Sequence, residues 1–77
     1  MKTFEVKLAS ISDVKSFVGV ANNQDFEIDL VSGRYIIDAK SIMGIFSLDL
    51  SNPIRVEVHA SDATADSFKN LVKEYVV

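Results

Sequence analysis

The sequence predicts an α+β fold, an open-faced sandwich in which a four-stranded antiparallel sheet carries three helices on one face. Three observations lead to this prediction. Three of the four strand-like segments alternate apolar and polar residues, three other segments repeat apolar residues at helical spacing, and the order of elements is β-α-β-β-α-β-α. Because three helices cover only one side of such a sheet, we expect the other side to face water.

The first part of the chain predicts a strand followed by a helix. Residues 3–8 alternate in character, which places their apolar side chains on one face of a strand. Ser12 or Asp13 is then expected to cap a helix that ends at Asn22 and Asn23. The apolar stripe of this helix has the spacing i, i+3, i+4 and i+7 and consists of Val14, Phe17, Val18 and Ala21.

The middle of the chain predicts a hairpin and a short helix. Residues 25–30 alternate again, and the Ser-Gly pair at 32–33 is typical of a two-residue turn. Residues 34–39 should therefore return as the second arm of the hairpin. Residues 40–48 predict a short helix, with Ser41 as its N-cap.

The last part of the chain predicts a loop, a fourth strand and a closing helix. Residues 50–53 form the loop, and residues 54–60 alternate as a half-buried strand does. The closing helix should be capped near Ser61 or Asp62. Its apolar positions are Phe68, Leu71, Val72 and Tyr75.

Composition excludes several classes of function. The chain has no cysteine and one histidine, so we expect no disulfide, no thiol chemistry, no conventional metal site and no cofactor. A net charge of −3 argues against nucleic acid as a partner. No apolar run has the length of a membrane span, and nothing resembles a signal peptide, so the cytoplasm is the expected compartment.

A motif in the short middle helix resembles a known family. Residues 40–44 read Lys-Ser-Ile-Met-Gly, and residues 45–48 read Ile-Phe-Ser-Leu. This segment resembles the regulatory-serine segment of HPr phosphocarrier proteins of the bacterial phosphotransferase system, in particular those of Gram-positive bacteria. The order of elements matches the same family, so the resemblance implies a single HPr-like domain over residues 1–77.

The resemblance fails where the family carries phosphate. HPr proteins place a phosphate-accepting histidine between the first strand and the first helix, with an arginine close behind. Here residues 8–15 contain no histidine, arginine or proline, and the segment is shorter. The chain is therefore similar to the catabolite-repression variants of HPr, which also lack this histidine and keep the serine.

The resemblance makes Ser41 a candidate site of regulatory phosphorylation, although the same residue could serve only as an N-cap. It also makes Ile42, Met43 and Phe46 a candidate docking surface for protein partners. The alternative is that these three residues are core residues or scattered surface residues. By analogy, the partners would be an HPr kinase/phosphorylase and a LacI-type transcriptional regulator.

The other polar candidates have less specific interpretations. His59 is expected on the outer face of the fourth strand as a solvated surface histidine. Asp13 is expected to cap the first helix and to occupy its anion site, so that an acyl phosphate there is improbable. An acidic stripe on the second strand could hold a cation weakly, but pairing across strands is favoured. The stripe is Asp25, Glu27 and Asp29, and its expected partners are Lys7, Arg34 or Arg55.

Three functions remain open at this point, none of them enzymatic. The favoured one is a regulatory interaction module that has lost the carrier step and kept the serine switch. The second is a diverged domain that binds a partner independently of phosphotransfer. The third is an active phosphocarrier in sugar uptake, which the missing histidine disfavours. The oligomeric state is left open.

Overall fold

The architecture matches the predicted open-faced sandwich, in a computed structural model that describes residues 2–77. Its sheet is antiparallel throughout. The elements in chain order are β1 (Lys2–Val6), α1 (Ile11–Asn22), β2 (Glu27–Ser32), β3 (Tyr35–Asp38), α2 (Ile42–Phe46), β4 (Ile54–His59), α3 (Asp62–Leu71) and a short 3₁₀ helix (Lys73–Tyr75).

The strands lie in the order β1-β4-β2-β3, so the last strand along the chain occupies the centre of the sheet beside β2. In this register Glu57 of β4 lies between Thr3 of β1 and Asp29 of β2. Alternation along β4 buries its even-numbered residues against the helices and leaves its odd-numbered residues on the outer face. The sheet thus has one apolar and one polar face, as the sequence predicts.

The core lies between the sheet and the helices, and Phe68 of α3 lies at its centre. The ring of Phe68 is 6.0 to 6.4 Å from the rings of three other phenylalanines, measured between centroids. Those three come from β1, α1 and the segment before β2, so the Phe68 side chain joins α3 to three other segments of the chain. The partners are Phe4, Phe17 and Phe26.

Helix α1 begins earlier than predicted, because Ser10 is its N-cap in place of Ser12 or Asp13. The backbone of Ser10 is extended, with φ −140° and ψ 165°, and its Oγ accepts a hydrogen bond from the Asp13 amide at 3.1 Å. Asp13 therefore lies inside the first turn. The sequence offers three polar residues within four positions that can cap a helix, and only the extended backbone at Ser10 selects one.

The hairpin turn is also displaced by one residue from the predicted pair at 32–33. Ser32 pairs with Tyr35, so the two turn residues are Gly33 and Arg34. Gly33 has φ +59°, while Arg34 does not have positive φ. This combination is typical of a type II′ turn, which requires glycine at its first central position.

Helix α3 ends at Leu71, and the prediction that Leu71 belongs to the apolar face is wrong, because its side chain is 57% exposed. The backbone of Val72 leaves the helical region, with φ −113° and ψ 21°, and the chain continues into the 3₁₀ helix. This change of direction buries Val72 completely and turns the preceding residue outward. The buried positions of the closing segment are Ala65, Phe68 and Val72.

The segment after the 3₁₀ helix covers the free edge of β1. The Lys7 amide donates to the Tyr75 carbonyl at 2.8 Å, and the Val77 amide donates to the Glu5 carbonyl at 3.0 Å. An edge strand with unpaired backbone groups can pair with another chain and so promote aggregation. These two hydrogen bonds occupy part of the free edge of β1. Within residues 2–77, no helix is both long enough and apolar enough to cross a lipid bilayer.

Candidate functional site

Ser41 lies on the surface at the start of α2, as predicted. Its backbone is extended, its Oγ accepts a hydrogen bond from the Gly44 amide at 3.2 Å, and its carbonyl accepts from the Ile45 amide at 3.1 Å. The helix covers Ile42–Phe46 and is shorter than the predicted span of residues 40–48. The backbone of Lys40 belongs to the preceding turn instead, since its amide donates to the Asp38 carboxylate at 2.9 Å.

Gly44 leaves the hydroxyl group of Ser41 uncovered. A Cβ atom at position 44 would lie 3.1 Å from Ser41 Oγ and 2.7 Å from Cγ2 of Ile37. The second distance is shorter than any ordinary carbon–carbon contact, so a side chain here would force Ile37 or α2 to move. The glycine thus allows α2 to pack closely on β3 and keeps the serine accessible.

The three predicted docking residues differ in exposure. Met43 is 77% exposed and Phe46 is 39% exposed, whereas Ile42 is partly buried against the core. Ile45, the remaining large apolar residue of α2, is completely buried. The structure therefore brings Met43 and Phe46 to the surface on the same short helix as the serine cap, and Ile42 contributes at its margin.

Two exposed apolar residues on β3 were missed in the sequence. Tyr35 is 63% exposed and Ile36 is 66% exposed. The run Tyr-Ile-Ile-Asp at 35–38 does not alternate, so no periodicity separates its inner from its outer positions. Pairing with β2 places Ile36 opposite Val31 on the outer face of the sheet, away from α2.

The turn between β1 and α1 uses its own side chains to satisfy the start of the helix. The Asp13 carboxylate accepts a hydrogen bond from the Ala9 amide at 3.0 Å, while the Asp13 amide donates to Ser10 Oγ. This reciprocal arrangement is close to a capping box. The anion at this helix start is therefore the protein's own carboxylate.

His59 is on the outer face of β4, as predicted, but it is not merely solvated. Its Nε2 lies 2.9 Å from Oδ2 of Asp29 on the neighbouring strand. The partner of Asp29 is therefore His59, whereas Lys7 or Arg55 was expected to pair with the acidic stripe. Arg55 instead pairs with Glu57 on its own strand at 2.9 Å. Lys7 Nζ donates to backbone carbonyls of the loop after α2. Alternation alone could not reveal the pair, since it depends on the β2–β4 register.

Three shifted pKa values have local causes away from Ser41. Hydrogen bonding to Asp66, 2.8 Å away, raises the pKa of Lys2, and hydrogen bonds from the hydroxyl and amide of Ser51 lower the pKa of Asp49. Burial raises the pKa of Tyr75. These groups do not converge on one cleft, as the titratable groups of an active site commonly do.

A family model described as the PTS HPr component phosphorylation site matches residues 12–76. The match includes Ser41 and the whole of α2. It begins within α1, after the histidine-free turn. No curated protein matches this chain.

Two solved structures resemble the whole chain. HPr-C-His from Thermoanaerobacter tengcongensis has a TM-score of 0.77 at 23% identity and covers 96% of this chain and 93% of its own. The phosphocarrier protein HPr from Bacillus anthracis str. Ames has a TM-score of 0.72 at 25% identity, with coverage of 99% and 96%. The fold is thus that of these phosphocarriers.

Proposed function

This chain belongs to the HPr family of the phosphotransferase system, and from that premise we propose that it is a regulatory protein-interaction module switched by phosphorylation of Ser41. The observation that carries the proposal is the geometry of this serine. It is exposed at a helix start, its hydroxyl is uncovered because residue 44 is glycine, and Met43 is exposed two residues later.

Phosphorylation at this position would change a surface without disrupting the fold. A phosphoserine adds a charge of about −1.5 to −2 and three acceptor oxygens at neutral pH. At a helix N-terminus this charge is favourable, because the amide groups and the helix dipole are positive there. The Ser41 side chain already bonds the Gly44 amide, so the phosphorylated side chain keeps an acceptor beside the same donor.

The carrier step is not part of the proposal, because its acceptor is missing. Residues 8–15 contain no histidine, and the amides of Ala9 and Asp13 are already bonded within the turn. The single histidine, His59, is on the outer face of the sheet and pairs with Asp29. A phosphoryl donor that docks at the start of α1 would meet a carboxylate where it needs a nucleophilic nitrogen.

The partners follow by analogy with the family. An HPr kinase/phosphorylase in the cytoplasm would transfer phosphate from ATP to Ser41, and a LacI-type transcriptional regulator would bind the phosphorylated form. Met43 and Phe46, with Ile42 at the margin, supply apolar contact area beside the new charge. Protein interfaces generally combine an apolar centre with a polar rim, and these side chains beside a phosphoserine would supply both.

The decisive experiment incubates the purified chain with an HPr kinase/phosphorylase and ATP and measures intact mass. We expect the mass of one added phosphoryl group, located by peptide mapping on the peptide that contains Ser41. Ser41→Ala should abolish the increase, whereas Ser47→Ala should not. Ser47 is a matched control because it is an exposed serine at the opposite end of the same helix.

Phosphorylation that persists in Ser41→Ala, or no mass increase in the wild type, would refute the serine switch. The exposure of Met43 supports one alternative, a binding role independent of phosphotransfer. A partner lost on Met43→Ala and retained on Ser41→Ala would favour it. Acid-labile phosphate on His59 after incubation with enzyme I and phosphoenolpyruvate would instead indicate an active carrier.

A further inference from the structure

The outer face of the sheet brings together three side chains of the types that commonly coordinate metal ions. Asp29 on β2 and Glu57 and His59 on β4 each offer one ligand atom, and these atoms all lie within 4.8 Å of one another. His59 Nε2 and Asp29 Oδ2 are 2.9 Å apart. From the sequence, a weak cation site is considered only for the stripe on β2, and pairing across strands is favoured. Because Asp29 is far from Glu57 and His59 in the chain, no motif indicates that the three meet.

The sheet geometry produces the cluster. Side chains two residues apart on a strand share a face, so Glu57 and His59 project to the same side of β4. Asp29 is the direct cross-strand partner of Glu57 in the antiparallel register. The three backbone positions therefore belong to two adjacent central strands, which are the most rigid part of such a fold.

The outer face also carries like charges in direct opposition. Asp29 lies opposite Glu57 on one side and opposite Asp38 on the other, so three carboxylates form a row across β4, β2 and β3. Like charges at paired positions destabilise a sheet. The side chains of Asp29 and Glu57 are only 30% and 16% exposed, so water screens this repulsion incompletely. A bound cation would relieve it.

We propose that Asp29, Glu57 and His59 form a surface site for a divalent transition-metal ion of the zinc type. Imidazole and carboxylate ligands together suit zinc, whereas magnesium and calcium prefer oxygen ligands alone. Tetrahedral zinc with bonds of about 2.0 to 2.2 Å needs donor atoms about 3.3 to 3.6 Å apart. Small side-chain rotations would open the 2.9 Å separation of His59 and Asp29 and bring the donor atoms, all within 4.8 Å of one another, to that spacing, and water would complete the coordination.

Arg55 is the main competitor for this site. Its guanidinium lies 2.9 Å from the carboxylate of Glu57, and its side chain is 52% exposed. Because the arginine is half exposed, it can turn into solvent when a metal replaces it. Arg55 should therefore weaken metal binding, and removing it should strengthen the site. The site is on the opposite side of the sheet from α2, so it does not depend on the role of Ser41.

The test is a zinc titration of the ¹⁵N-labelled chain by NMR, with affinities from calorimetry. In the wild type we expect one site, with shifts centred on residues 29, 57 and 59. His59→Gln and Asp29→Asn should each weaken binding by at least about 10-fold, because loss of the groups that merely orient metal ligands already costs about 10-fold to 100-fold. Arg55→Gln should bind more tightly than the wild type.

Glu27→Gln is the matched control, since Glu27 lies directly opposite His59 but is not one of the three ligands. It should bind zinc as the wild type does. Equal weakening in Glu27→Gln and Asp29→Asn would show general charge attraction and would overturn the site. Unperturbed resonances around His59 at saturating zinc would also refute the proposed site.

Cobalt provides a measurement that requires no variant. Co²⁺ added to the wild-type chain should broaden the resonances around His59 and give the visible absorption of a tetrahedral ion with nitrogen and oxygen ligands. Broadening centred elsewhere in the chain would refute the assignment, even if a variant failed to fold.

Discussion

At the scale of single residues, three serines perform the same local task, and one of them has surroundings that suit a switch. Ser10, Ser41 and Ser61 each cap a helix by accepting a hydrogen bond from the amide three residues later. Only Ser41 has a glycine at that position and an exposed methionine between the two. Capping therefore explains why a serine is present at each position, and the neighbours of Ser41 are what support the proposal that it is phosphorylated.

The first prediction concerns the corrected cap of α1. Ser10→Ala removes the acceptor for the Asp13 amide and should lower the free energy of unfolding by about 1 kcal/mol. Ser12→Ala, within the first turn, should change it by less than about 0.5 kcal/mol. Urea unfolding of both variants measures the difference. A larger loss of stability for Ser12→Ala than for Ser10→Ala would indicate that Ser12, one of the two caps expected from the sequence, is the N-cap.

At the scale of elements, α2 depends on tertiary packing more than on its own helical tendency. Five residues are too few to form a stable helix in isolation. Its stability comes from the Ser41 cap, from the complete burial of Ile45, and from the close approach to β3 that Gly44 permits. These few residues are therefore helical because α2 packs against the sheet.

The second prediction compares two glycines in helices. Gly44→Ala should destabilise the protein by about 1–3 kcal/mol, because its Cβ would overlap Ile37. Gly19→Ala in α1 should stabilise it by about 0.5–1 kcal/mol, because nothing lies within 4 Å of the added Cβ and alanine favours the helix. Thermal unfolding of the two variants in parallel checks both signs. A stabilising Gly44→Ala would contradict the close packing of α2 on β3.

At the scale of the whole molecule, the fold depends on a few contacts that join distant parts of the chain. Phe68 links α3 to β1, to α1 and to the segment before β2, and the segment around Val77 covers the edge of β1. A chain of 77 residues has a net stability of only about 4–12 kcal/mol. Losing one such contact therefore removes a large share of it.

The third prediction tests that dependence. Phe68→Ala should cost about 3–5 kcal/mol, because it leaves a cavity among three aromatic rings. Leu71→Ala on the same helix should cost less than about 1 kcal/mol, because Leu71 is 57% exposed. The measurement is the midpoint and slope of urea unfolding. Similar losses for the two variants would mean that Leu71 belongs to the core.

Sequence patterns correctly predict the order of elements, the apolar faces of α1 and of the alternating strands, and Ser41 as the cap of α2. All of these depend on residues that are close in the chain, where periodicity and capping preferences act. The same local patterns could not separate Ser10 from Ser12 as a cap, because both residues can serve and only backbone conformation selects between them.

Which residues from distant segments meet depends on the tertiary structure. The pair of His59 and Asp29 and the approach of Gly44 to Ile37 depend on how β4 pairs with β2 and on where α2 rests. A strand register is set by contacts summed over the whole sheet, and a shift of one residue would exchange its faces. No single segment contains the information that sets the register, so no local motif predicts that Asp29, Glu57 and His59 lie together.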